Sequence, residues 1–92
     1  MSEFEKQGDV RDTLAKRETM HGDYREVSTV AQSIKYALDC RQAKLSPAQR
    51  ESLNMIATKM ARIVCGDPNI IDHWLDIEGY ARLVRNGLEE KE

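Results

Sequence analysis

Ninety-two residues carry 14 Lys+Arg against 16 Asp+Glu, a formal net charge of −2. A chain this short cannot fill two independent cores, so one domain spanning residues 1–92 is expected. The charge balance excludes the global positive field that draws proteins onto nucleic-acid polymers or anionic lipid, so neither is an expected partner.

With 40% hydrophobic residues but one Trp, one Phe and three Tyr, the core is expected to be small. Cys40 and Cys65 fall outside any C-x-x-C or metal-ligand spacing, which points to a reducing, cytoplasmic setting. The first eight residues lack the apolar centre of a signal peptide. The longest apolar runs fall far short of the roughly 20 residues that cross a bilayer.

In chain order, the pattern predicts helices throughout. Phe4, Val10 and Leu14 are spread thinly among charges, so a first helix is expected from about Asp9, with a frayed start over 1–8. Gly22 supplies the positive φ of a helix stop, and Asp23 can cap the next helix. Val27, Val30, Ala31, Ile34, Ala37 and Leu38 form one stripe of a second helix. Ser46, Pro47 and Gln49 mark a third start: an N-cap, a proline at the first helical position, and a glutamine that can close a capping box.

Leu53, Ile56, Ala57, Met60, Ile63 and Val64 continue that third face until Gly66, Asp67 and Pro68 turn the chain. Ile71, Trp74, Leu75, Ile77, Ala81 and Val84 make a fourth periodic segment, with a stop at Gly87 and a disordered tail over 87–92. The short turn predicts an antiparallel hairpin of the last two helices. The expected fold class is all-α: a small bundle of about four helices ending in that hairpin.

Three groups of residues could carry chemistry. Asp72 and Asp76 lie one helical turn apart, and Glu51 on the preceding helix could join them around Mg²⁺, which takes oxygen ligands. Lys59 and Arg62 would face those acids across the hairpin, either as ion pairs that fix its register or as phosphate-binding cations. His21, Gly22, Asp23 and Tyr24 form a loop in which His21 and Asp23 could contact a ligand, or serve only to end one helix and start the next. Of His73 and Trp74, the first reads as partly exposed and the second as a core anchor. Two distant histidines without further ligands argue against zinc. Arg82 and Arg85 are too few for a basic recognition helix.

The segment Thr19, Met20, His21, Gly22, Asp23, Tyr24, the run 49–63, and D-H-W-L-D-I-E-G-Y-A at 72–81 together resemble a family of small phage and prophage proteins of unknown function. The likeness covers about residues 19–84, with Met20 inserted into that family's upstream T-H-G-D-aromatic signature. More distantly, the chain is similar to the all-α nucleoside triphosphate pyrophosphohydrolases of the MazG type. In those enzymes, acids on two helices hold Mg²⁺ against a triphosphate. Here Glu51 and Asn54 would stand at the first acidic motif and His73 and Asp76 at the second, so two of four acids are replaced. The resemblance implies nucleotide binding with Mg as cofactor, hydrolysis to monophosphate and pyrophosphate if catalysis is retained, and a homodimer. The alternative is a non-enzymatic phage protein that binds a host protein through its charged surface.

Overall fold

The computed structural model describes residues 3–41 and 43–91. It is all-α, and the described residues contain no strand. Four helical segments follow in order: α1 (Glu3–His21), α2 (Tyr24–Asp39), α3 (Pro47–Cys65) and α4 (Ile71–Lys91). Only Gly22 and Asp23 separate the first two, so α1 and α2 run on as one bent helix. None of the helices is long and apolar enough to cross a membrane.

The boundaries follow local chemistry. Ser46 and Gln49 form a reciprocal capping box, in which the Gln49 amide donates to the Ser46 hydroxyl at 3.1 Å and the Ser46 amide donates to Gln49 Oε1 at 2.9 Å. Such a cap is worth about 1 kcal/mol. Asp23 caps α2 by accepting from the Arg25 amide at 3.3 Å. Gly22 adopts φ +89°, the left-handed geometry that lets α1 stop without strain.

Two helix ends differ from the sequence expectation. The first helix starts at Glu3 rather than near Asp9, although residues 1–2 of the expected frayed start lie outside the described residues. α4 runs through Gly87 to Lys91, so most of the expected disordered tail is helical. Residue 92 lies outside the described residues. An isolated glycine costs a helix only about 1 kcal/mol, which the flanking Leu83, Val84 and Leu88 outweigh as good or tolerable helix formers.

α3 is the central element and packs on both α2 and α4, with a smaller contact to α1. The core is thin: Val27 and Ala31 of α2 meet Ala61 of α3, with Val30 and Cys65 against them. Ala57 and Ile63 are also buried. Small alanines let the helices approach closely, but they remove little apolar area from water. On α4 the inward ridge is His73, Ile77, Tyr80 and Val84, while Ile71, Leu75 and Leu83 face outward.

Candidate functional site

The bend between α1 and α2 is clamped against the end of α3 by two glycines. A Cβ on Gly66 would lie 2.6 Å from Gly22 N, His21 C and Met20 O, all backbone atoms. A Cβ on Gly22 would meet Cys65 Cβ at 2.8 Å and Val27 Cγ2 at 2.9 Å. The Asp67 amide then donates to the Met20 carbonyl at 3.1 Å. This backbone-to-backbone seat fixes the last residue of α1, His21, over the first turn of α4.

His21 Nδ1 lies 2.9 Å from His73 Nε2, with the rings edge to face at a centroid distance of 4.8 Å. His73 is only 2% exposed and is the largest fully buried side chain described. Its other ring nitrogen, Nδ1, is buried without a hydrogen-bond partner among the described residues. Such an atom costs about 1–3 kcal/mol, and one that persists in a fold marks a functional candidate.

Burial lowers the pKa of both rings, and nearby charges deepen the effect. Arg62, Arg17 and Lys59 act on His21 against an opposing pull from Asp72. His21, Lys59 and Arg62 act on His73 against Asp76. Both imidazoles are therefore neutral at neutral pH, and one proton is shared along their hydrogen bond. When His73 donates, His21 must carry its own proton on Nε2, which makes that atom a donor. When His21 donates, its Nε2 becomes a lone-pair base.

Lys59 and Asp76 form an ion pair at 2.8 Å, with the lysine side chain 13% exposed and the aspartate 44%. The hydrogen bond from Lys59 holds the Asp76 carboxyl below its usual range. Of the sequence candidates, Lys59, Arg62, Asp76 and His21 thus act on His73, while Asp72 acts on its neighbour His21. Glu51 is exposed and does not join them. Among the described residues, no three of His, Cys, Asp and Glu are gathered to hold a metal ion. The ion pair with Lys59 occupies one carboxylate oxygen of Asp76, one of the three acids expected around Mg²⁺. Asp23 is engaged as the cap of α2 and is not on the wall of the neighbouring cavity.

That cavity, about 260 Å³, lies between α1, the bend and α3, and its walls include Leu14, Arg17, Glu18, His21, Tyr24 and Arg62. Tyr24 is 79% exposed at its rim. No ion pair joins Arg17 or Arg62 to another described residue. The cavity is near the low end of the range for small-molecule sites.

Sequence reasoning missed His73 and Arg17. The expectation of a partly exposed His73 and a core Trp74 is reversed: Trp74 is 55% exposed and its indole N–H donates to the Pro68 carbonyl at 2.8 Å. The available signal was His73 standing first in the ridge 73, 77, 80, 84, a polar residue in register with an apolar stripe. Both cysteines are free, and burial with the Glu26 carboxylate pushes the Cys65 thiol up, away from reactivity. No family model, curated protein or solved structure matches this chain.

Proposed function

We propose that the chain binds a phosphate-bearing small molecule of nucleotide type in the cavity beside His21. The observation that carries this is two arginines, Arg17 and Arg62, flanking a neutral imidazole whose far nitrogen can donate to an anion. Guanidinium groups match phosphate oxygens with paired donors. Tyr24 offers an exposed aromatic face for a base, and Leu14 an apolar one for the same moiety. Glu18 on the same wall is suited to a hydroxyl or amine of the ligand rather than its phosphates.

This reading agrees with the resemblance to small phage proteins and, beyond them, to MazG-type pyrophosphohydrolases. Its fold component is a bundle of about four helices in which α3 and α4 run antiparallel. The five-residue connection 66–70 supports that, as does the Lys59–Asp76 pair, whose members sit at similar distances from the turn. The phosphate is held by Arg17, Arg62 and His21, so binding does not depend on Mg²⁺. Any Mg²⁺ in the complex arrives with the nucleotide, as it usually keeps most of its shell from water and phosphate.

The direct experiment titrates a panel of nucleoside triphosphates, with and without Mg²⁺, followed by calorimetry and by pyrophosphate release. Heat of binding with at least one nucleotide is expected in both conditions. Absence of both heat and release across the panel removes the proposal. A second reading, a non-enzymatic phage protein that binds a host protein, draws on the exposed Leu53, Met60 and Val64 of α3. In that case Lys59 and Asp76 serve only to hold two helices together.

A further inference from the structure

We infer that His73 is a positioning residue. From the buried side it donates its Nε2 proton to His21 Nδ1, which fixes the outward nitrogen of His21 as a hydrogen-bond donor and restricts the end group it meets to an ionised phosphate with no proton of its own. The inference deepens the phosphate reading and rests on it for what His21 meets. Where the proton sits on His73 does not depend on any ligand.

Two neutral arrangements fit the 2.9 Å contact between His21 Nδ1 and His73 Nε2. They differ at the buried end. If His21 donated, the proton of His73 would stand on Nδ1, and that atom is buried with no acceptor among the described residues. The carboxylate of Asp76, about one turn along the helix, is held by Lys59 at 2.8 Å instead and makes no bond to it. If His73 donates, Nδ1 keeps a lone pair. Either arrangement leaves one polar atom without a partner, so the local charge decides between them. Lys59 and Arg62 act on His73 more strongly than the opposing Asp76 does. Positive surroundings favour a lone pair and oppose an N–H.

With its Nδ1 accepting, neutral His21 carries its own proton on Nε2. That nitrogen makes no hydrogen bond to a described residue and is not among the buried unpartnered atoms, so it is open on a side chain that lines the cavity with Arg17 and Arg62. Three donor groups then share one wall. A protonated phosphate or a hydroxyl brings a proton where His21 already supplies one, while an ionised oxygen can accept from the imidazole and the guanidiniums alike. His73 itself is 2% exposed, so it acts only through the ring it holds.

Two measurements decide it. In nitrogen-labelled protein at about pH 8, above the ordinary histidine value near 6.5, the proton of the contact is expected to show its one-bond coupling to His73 Nε2. A smaller coupling across the hydrogen bond should reach His21 Nδ1, and His73 Nδ1 should resonate as a bare lone-pair nitrogen. A proton bonded to His21 Nδ1 or to His73 Nδ1 overturns the inference, whatever the cavity binds.

Inorganic tripolyphosphate, titrated by calorimetry at the same pH, is the second probe. His73→Met, which removes the donor, is expected to weaken its binding about threefold to tenfold, the worth of one hydrogen bond. His73→Gln, whose side-chain amide can donate from nearly the same place, is expected to restore most of it. Both variants are compared at a temperature where circular dichroism shows them folded. A Met variant that binds as well as the wild type, or a Gln variant no better than Met, overturns the positioning role. No binding by the unaltered chain overturns the phosphate reading and the positioning role together, and the coupling pattern tells that failure from a misplaced proton.

Discussion

Gly66→Ala is expected to destabilise the protein by about 2–3 kcal/mol, the cost of forcing an extra methyl into a packed site that cannot relax. The new Cβ would meet three backbone atoms of the α1–α2 bend at 2.6 Å, and backbone cannot rotate away as a side chain does. Gly87→Ala is the internal control, since nothing lies within 4 Å of its Cβ position. There the replacement should be neutral or stabilising by up to about 1 kcal/mol, from helix propensity alone. Urea unfolding followed by circular dichroism measures both. Equal midpoints for the two variants would mean that the bend is not clamped on α3. The effect should reach the site as well, because the same seat sets His21 on His73.

Arg62→Glu is expected to weaken triphosphate binding about 100-fold, while the unfolding midpoint stays close to that of the wild type. A charged hydrogen bond contributes about 1.5–3 kcal/mol, and each 1.4 kcal/mol is tenfold in affinity. Reversal also sets a repelling charge beside the phosphates. Arg62 makes no ion pair with another described residue, so its loss strands no buried partner. Calorimetric titration with the best nucleotide reads the affinity. Unchanged binding would place the phosphates elsewhere on the molecule and separate the ligand site from the histidine pair.

The local punctuation of the chain was legible from sequence because each signal carries its own energetics. Ser46, Pro47 and Gln49 specify a helix start through hydrogen bonds they make to one another, and Gly22 specifies a stop through a φ that other residues avoid. The convergence of Lys59 with Asp76 followed from the short connection between α3 and α4. What was not legible was the choice of face on α4. Two ridges compete there: 71, 75, 79, 83, and 73, 77, 80, 84. Hydropathy favours the ridge next to Trp74, yet the structure buries the one that begins with His73.

The reason is tertiary. His73 is accommodated because His21 arrives from a distant segment to share its hydrogen bond, and Gly66 must be small for that segment to arrive. No window of local sequence contains both histidines and the glycine that seats them. Glu51 is exposed on α3, and spacing along the chain alone does not say which acids of two different helices come together.

Titration of the two imidazoles tests the central claim, that the bend makes His21 and His73 one coupled centre beside an anion site. Nitrogen-detected spectra of both rings, recorded from about pH 4.5 to 8.5, give each midpoint against the ordinary value near 6.5. Because both folded pKa values are lowered, the unfolded chain binds protons first as the pH falls. The stability carried by the pair is therefore complete above about 6.5 and is lost as the pH drops through the folded values. Two midpoints below the ordinary value are expected, with a shift in the His73 midpoint when His21→Gln removes its neighbour and a rise in the His21 midpoint when triphosphate is added. Two independent titrations at the ordinary value, indifferent to triphosphate and to the substitution, would contradict it.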